Sequence, residues 1–176
     1  LNLPALVKME KTARGLEEQG LRPNPYAPCV FFLTQRLRPD DCSALARRLQ
    51  MKRADYEPWM KLEQEGKKLV RLLGSREANT PSKAFLVLSR QPAELILFVL
   101  LHFPQKKVQD KLKHYLSRHR PLKEKLPGKE LEGLGVAPGA PRFARILDLF
   151  FVAVLDGKVK SRTDRSAPSS AKAAVR

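Results

Sequence analysis

Lysine and arginine side chains gathered in short clusters are the groups of this sequence best suited to chemistry, and that chemistry is phosphate binding. The chain has 34 lysines and arginines against 18 aspartates and glutamates, a formal net charge of +16. An excess of this size is typical of proteins with a polyanionic partner, most often a nucleic acid. Because phosphate contacts carry no sequence information, the clusters predict binding by charge and shape. The clustered residues are Arg47, Arg48, Lys52 and Arg53; Lys106, Lys107, Lys111, Lys113 and Arg118; and Lys158 and Lys160.

Groups suited to catalysis or metal binding are scarce by comparison. The sequence has no GxxxxGK[ST] phosphate loop, no CxxC pair and no recognisable setting for a nucleophilic serine or cysteine. His114 and His119 are five residues apart, a spacing that does not place two imidazoles on the same helix face. We therefore expect no catalytic residue, no metal site and no cofactor in this chain.

A segment punctuated by glycine and proline, GKELEGLGVAPGAPR, leads into the last apolar helix. Gly139 lets the backbone approach another group closely, and Pro141 suits the first turn of a helix. The free amides at a helix start carry partial positive charge and are a common seat for a phosphate. We therefore add Lys129, Gly139 and Arg142 to the predicted RNA-binding residues. A plain helix–turn–helix corner is the alternative interpretation of this segment.

The elements that must position these residues are predicted to be helices. Apolar residues recur at helical spacing through most of the chain, and no alternation typical of strands is present. Residues 93–103 are apolar nearly all round, which is typical of a helix at the centre of a bundle. Residues 105–120 form a strongly basic helix that Pro121 is expected to end. The predicted fold is all-α: a stack of short helices with Pro-rich corners, ending in the Gly/Pro turn and an apolar helix.

The last predicted helix, residues 142–156, has more apolar surface than a small bundle needs. One stripe, which includes Phe143 and Phe150, is expected to face inward, and a second stripe, which includes Leu149 and Phe151, would remain exposed. An exposed apolar patch of this kind usually marks an interface. We therefore expect this helix to pack against a missing domain or a second copy of the chain.

The type of nucleic acid follows from the shortage of exposed aromatic side chains. The tyrosines and the tryptophan fit the apolar stripes of the predicted helices. We therefore do not expect a row of exposed rings on which the bases of a single-stranded nucleic acid could stack. A folded, duplex-like RNA suits the predicted surface better. The aromatics in question are Tyr26, Tyr56, Trp59 and Tyr115.

Other partner classes fit the sequence less well. A helix–turn–helix DNA reader using Arg142 and Arg145 would need an exposed polar face, which residues 142–156 lack. The apolar runs are too short to span a bilayer, so no membrane partner is expected. Cys29 and Cys42 are typical of reduced cysteines, and no secretory signal pattern begins the chain, so a cytoplasmic location is expected.

Several stretches of the sequence resemble one enzyme family. GKELEGLGVAPGAPRFARILD, with the later LDGKVKSRTD, resembles the C-terminal tail of class II, bacterial-type tRNA nucleotidyltransferases and related poly(A) polymerases. Upstream, ALARRLQMKRADYEPWMKL resembles the body of that family, where an Arg–Leu pair, here Arg48 and Leu49, precedes a basic helix start. The tail positions that match the family pattern are Gly128, Glu130, Leu131, Leu134, Gly135, Pro138 and Gly139.

The resemblance implies a role in CCA or A addition without a catalytic step in this chain. In that family a separate head carries the metal-binding carboxylates, and a neck selects the incoming nucleotide. Mg²⁺ and CTP or ATP would therefore belong to a head that has no counterpart here. This chain would grip the elbow and acceptor arm of tRNA. A free-standing helical protein-interaction module is the alternative.

The same resemblance suggests a division of the chain. We expect residues 1–25 to be a linker or neck remnant, 26–125 a helical body, 126–165 a tail subdomain and 166–176 a disordered basic tail. The first residue is leucine rather than methionine, which suggests a piece of a longer or processed protein.

Overall fold

The computed structural model describes residues 3–124 and 141–158, with side chains for all of these except residues 3, 141 and 142. All regular structure within those ranges is helical, which confirms the predicted all-α class. The helices are α1 (Leu3–Glu18), α2 (Tyr26–Thr34), α3 (Pro39–Arg48), α4 (Arg53–Gly74), α5 (Pro81–Ser89), α6 (Ala93–His102), α7 (Lys106–His114), α8 (Arg120–Glu124) and α9 (Pro141–Leu155), with a 3-10 turn at Arg76–Ala78 and a π-helical turn at Tyr115–His119.

Prolines stand at the corners between these helices. Pro39 and Pro81 occupy the first turns of α3 and α5, where a missing N–H has no intrahelical partner to lose. Thr80 caps α5, since its hydroxyl oxygen accepts a hydrogen bond from the Lys83 amide at 3.3 Å. Pro92 precedes α6, where its extended backbone separates that helix from α5.

The core is built around α6, the helix predicted to be central. α6 packs against α1, α2, α4 and α7, and its middle residues, 95–99, are all buried. Gly66 of α4 allows a close approach, because a Cβ at this position would lie 2.8 Å from ring carbons of both Phe98 and Phe103. The long α4 and the apolar α6 therefore form the frame on which the shorter helices are placed.

The basic helix does not end at Pro121 as predicted. It passes through the π-helical turn and continues as α8, so that Pro121 lies inside helical structure. The Arg120 amide donates to the Tyr115 carbonyl, five residues back, rather than to the carbonyl four residues back. A wider turn of this kind accommodates a proline, which has no amide to donate and whose ring crowds the preceding turn of a regular helix.

The chain divides into two compact units, residues 1–121 and 122–176. The first unit contains α1 to α7. Within it α1, which belongs to the segment predicted as a linker or neck remnant, packs against α2 and α6. No single helix in the described ranges is both long and apolar enough to cross a membrane; α5 and α6, bent by 118° to each other, meet those criteria only as a pair.

In the second unit, α9 buries most fully a residue that was predicted to be exposed, while the residues of the predicted inward stripe are partly buried. Phe151, assigned from the sequence to an exposed stripe, is only 3% exposed, whereas Leu149 of the same stripe is 63% exposed. Lys123 places its ammonium 5.8 Å from the centre of the Phe151 ring. The prediction for Phe151 is therefore wrong. The helix is apolar around most of its circumference, so its sequence did not determine which side would be covered.

Candidate nucleic-acid interface

The strongest concentration of available positive charge lies on α7 and the π-helical turn. The inner side of this stretch is fixed by Val108, Leu112 and Tyr115, which are all buried. The opposite side carries what we call the α7 cationic face. Asp110 is the one carboxylate of α7, and neither it nor any other carboxylate of the described residues lies within 4.0 Å of the charged nitrogens of this face. The face consists of the exposed Lys106, Lys107, Lys113 and Arg118.

Lys111, predicted with this group, has its ammonium engaged inside the fold. Its Nζ donates to the carbonyl of Leu73 at the end of α4 and to that of Ala78 at 2.7 Å. A cation is favourable there because the last carbonyls of a helix carry partial negative charge. Burial, with a smaller effect from Lys107, lowers the pKa of Lys111 below its usual value. Lys111 therefore joins α7 to the end of α4, and we leave it out of the cationic face.

The second predicted cluster lies at the corner between α3 and α4. Arg47, Arg48 and Lys52 are exposed, and no carboxylate of the described ranges pairs with them within 4.0 Å. Arg53 differs from these three, because its Nε lies 2.7 Å from Oε1 of Glu57. The corner thus supplies three cations without an ion-pair partner and one that is already paired.

The outer side of α4 has many charges, and all of its basic residues except Arg71 are neutralised by glutamates. Lys67 pairs with Glu63 at 2.6 Å, and Lys68 pairs with Glu65 at 2.8 Å. The neighbouring groove is lined by carboxylates of Glu57, Glu65 and Glu94 as well as by basic residues, and it encloses about 580 Å³. Mixed charge of this kind gives a phosphate backbone no net attraction.

The π-helical turn brings a histidine and an arginine into partly buried positions that sequence reasoning did not anticipate. Nη2 of Arg120 donates to the carbonyl of Gly20, at the end of α1, at 3.2 Å. Nδ1 of His119 and Nη1 of Arg120 are buried without a hydrogen-bond partner in the described residues. Burial lowers the pKa of His119, and the neighbouring His114 and Arg118 add to that effect. His119 therefore contributes little positive charge near neutral pH.

Metal binding has no support in the described residues. No group of three or more histidine, cysteine, aspartate or glutamate side chains is arranged there to hold an ion. The His114 and His119 rings lie 6.4 Å apart, centre to centre, but no third ligand completes a site.

The remaining predicted residues lie at or beyond the edges of the described ranges. Lys129, Gly139 and Lys160, with most of the Gly/Pro turn, lie outside them. Arg142 is placed by its backbone in the first turn of α9. Lys158 is exposed just after α9, and its amide donates to the Ala153 carbonyl at 2.8 Å. The phosphate seat predicted at the start of the last helix therefore stays a prediction.

No protein-family model, curated protein or solved structure matches this chain. The interface described above therefore rests on the geometry and charge of the chain's own residues.

Proposed function

We propose that this chain binds structured RNA, tRNA in the first place, through the α7 cationic face together with Arg47, Arg48 and Lys52. The observation that carries the proposal is the absence of ion-pair partners for these exposed cations among the described residues. Cations that are not neutralised by neighbouring acids can replace the counterions of a phosphate backbone, which is the main source of sequence-independent affinity.

The shape of the surface favours a folded RNA over a single strand. Tyr26, 42% exposed, is the one exposed aromatic side chain among the described residues. Binding of single strands usually needs a row of aromatic rings on which successive bases stack. Duplex RNA is held mainly through phosphates and the 2′-hydroxyl groups, which needs no such row.

The family resemblance supports a more specific proposal. The chain would be the body-and-tail portion of a cytoplasmic tRNA nucleotidyltransferase of the CCA- or A-adding type, which holds tRNA while a separate head performs the reaction. Mg²⁺ and the nucleotide would bind that head. This chain would bind the tRNA and hold it in position, and we expect no nucleotide addition by this chain alone.

The test is the binding of a fluorescently labelled tRNA, followed by anisotropy over a series of salt concentrations. If about four to six phosphates are neutralised, the slope of log K against log salt should be about −3 to −5. A flat salt response, or no binding at about 50 mM salt where the electrostatic attraction is least screened, would overturn the proposal.

We propose a helical protein-interaction module as the second candidate function. The surface of α9 supports it, because Leu149 is 63% exposed and Ile146 and Val152, one helical turn away on either side, are only partly buried. Contiguous apolar surface of this kind is a feature of protein contact surfaces. If this candidate is right, Leu149→Glu should abolish self-association or partner binding measured by light scattering. The same substitution should leave tRNA binding unchanged.

A further inference from the structure

The backbone at Gln50 is in a conformation that side chains rarely adopt. Three helices of the described chain end in the same pair of hydrogen bonds, in which two successive amides turn back to carbonyls of the last turn. At the ends of α1 and α9 the left-handed residue is a glycine, Gly20 with φ 74° and Gly157 with φ 72°. At the end of α3 it is Gln50, with φ 49°. A strained position held by a residue other than glycine is often one where the side chain has a use.

Beside Gln50 is a cavity of about 330 Å³, within the size range of small-ligand sites. Its wall combines apolar surface, from Ala46, Met51 and an aromatic ring, with hydroxyl, amide and guanidinium groups. No carboxylate lines it, in contrast to the groove beside α4. The lining residues are Ser43, Ala46, Arg47, Gln50, Met51 and Tyr56.

Part of the hydrogen-bonding capacity of this cavity is unused. The Ser43 hydroxyl donates to the Pro39 carbonyl at 3.0 Å, so towards a ligand its oxygen can only accept. The hydroxyls of Ser43 and Tyr56 are 3.5 Å apart, and Nε of Arg47 is 3.4 Å from the Ser43 carbonyl oxygen. Both distances are at the long end of the hydrogen-bond range, so these contacts are weak. A ligand that offers both donors and acceptors would replace them with shorter bonds.

The aromatic ring is held in place by the core. Tyr56 meets Trp59 edge to face, with ring centres 6.1 Å apart. Trp59 is 3% exposed, and its indole N–H donates to the Thr34 hydroxyl at 3.2 Å. A ring fixed in this way can receive a flat ligand without losing much conformational freedom.

We propose that this cavity takes one unpaired nucleobase of the bound RNA. The proposal rests on the RNA-binding function proposed above. A base is flat and neutral and has donors and acceptors on its edge, which matches an amide, two hydroxyls and an aromatic ring. A phosphate fits the cavity less well, because the α3 C-terminus beside it carries partial negative charge. Arg47 in the cavity wall, with Arg48 and Lys52, which follow the lining residues Arg47 and Met51 in the chain, would hold the phosphates on either side of the base.

The test compares two RNA duplexes that differ by one bulged nucleotide, titrated with the full chain at the same salt concentration. The wild-type protein should bind the bulged duplex about tenfold more tightly, at the lower end of the contribution of one stacked base. In Gln50→Gly this preference should fall to about threefold or less, because the amide that meets the base edge is lost while the Tyr56 ring remains. The urea midpoint of unfolding should rise, because glycine relieves the backbone strain. A gain in stability with a loss of preference excludes a folding defect as the cause.

Two further variants sharpen the result. Tyr56→Leu, which removes the stacking ring, should also lose the preference. Gln19→Ala removes an exposed amide beside the glycine cap of α1 and should keep it.

The remaining outcomes separate this inference from the function on which it rests. Absence of binding to either duplex at low salt would overturn both proposals. Equal binding of the two duplexes by the wild-type protein, or a preference in Gln50→Gly as large as that of the wild-type protein, would overturn the nucleobase site alone. A salt slope smaller by about one for both duplexes in Gln50→Gly would show that the cavity holds a phosphate, and the nucleobase proposal would be wrong.

Discussion

The outer side of α4 and the outer side of α7 carry similar numbers of lysines and arginines but differ in what surrounds them. On α4 four of the five basic residues lie one helical turn from a glutamate and form ion pairs with it; Arg71 is the exception. On α7 and the following turn the four exposed cations surround a single exposed carboxylate, Asp110, and none of them lies within 4.0 Å of a carboxylate of the described residues. A count of positive charge therefore does not locate a polyanion site. The local balance of acids and bases does.

A second difference lies within α7 itself. Lys111 and Lys113 are two residues apart on the same helix, yet the first bonds to backbone carbonyls and the second faces solvent. Lysines close together in the sequence can thus either stabilise the fold or remain available for a ligand, depending on which side of the helix they occupy.

The largest effect we expect is on RNA affinity, from reversing three charges on each helix in turn. Lys106→Glu/Lys107→Glu/Lys113→Glu should weaken tRNA binding by at least about a hundredfold at low salt and reduce the salt slope by about two to three. The matched control, Lys61→Glu/Lys67→Glu/Lys68→Glu, makes the same change in net charge. It should cost no more than about fivefold, through the general loss of attraction. If anisotropy titrations show the same loss of tRNA affinity in the two triple variants, α7 does not bind RNA more strongly than α4.

A smaller effect, on stability, distinguishes the two lysines of α7. Lys111→Met removes charge-assisted bonds to the carbonyls of Leu73 and Ala78 and should lower the free energy of unfolding by about 1.5–3 kcal/mol. Lys113→Met should change it by no more than about 0.5 kcal/mol. Urea denaturation measures both. A similar cost for the two variants would mean that the Lys111 bonds contribute no net stability.

The inner side of α4 offers the next test, because it depends on the absence of a side chain at Gly66. Gly66→Ala should destabilise the fold by about 1–3 kcal/mol, since the new methyl group would press on the rings of Phe98 and Phe103. Gly15→Ala in α1 is the control, because a Cβ there meets nothing within 4 Å. It should stabilise by up to about 1 kcal/mol through helix propensity. If Gly66→Ala leaves the free energy of unfolding unchanged in thermal or urea denaturation, α4 and α6 can move apart to accommodate a methyl group at little cost.

The smallest effect is a difference in acid sensitivity between two histidines. Burial lowers the pKa of both His102 and His119 from the usual 6.5. At His102 Glu63 opposes the lowering and Lys67 adds to it less strongly, whereas at His119 both His114 and Arg118 add to it. Between the lowered pKa and 6.5 the unfolded chain binds more protons than the folded chain, so stability is complete above 6.5 and falls as the pH drops through this window.

His119→Asn should therefore remove more of the loss in urea midpoint between about pH 7.5 and about pH 5.5 than His102→Asn does. Comparing each variant with itself at the two pH values separates titration from any change in packing. A greater reduction in His102→Asn would mean that Glu63 does not compensate for the burial of His102.

Much of the fold could be predicted from the sequence, because helix starts and stops are local features. Pro39, Pro81 and Pro92 stand where helices begin, and the apolar run of α6 marked it as central. The continuation of the basic helix past Pro121 was not predictable in this way, because it depends on the π-helical turn at Tyr115–His119. The burial of Phe151 in α9 was missed as well, since most of that helix is apolar.

The candidate site was predictable in composition but not in arrangement. The sequence identified the basic residues, whereas the pairing of Arg53 with Glu57 and of Lys111 with carbonyls depends on how the helices fold and pack. Tyr56 fitted the apolar stripe of α4, so nothing in its spacing indicated a cavity wall. The left-handed backbone at Gln50 had no sequence signal, because glycine or asparagine is the usual marker of that conformation.

The wide turn before Pro121 also sets the direction in which the last arginines point. In a regular helix two residues seven positions apart lie almost above one another, so Arg120 would share the side of Lys113. A turn with more residues per revolution makes each step smaller, and over Tyr115–His119 the lag reaches about a quarter of a circle. Arg120 is thereby swung towards the end of α1, where it bonds to Gly20, while Arg118 stays in solvent.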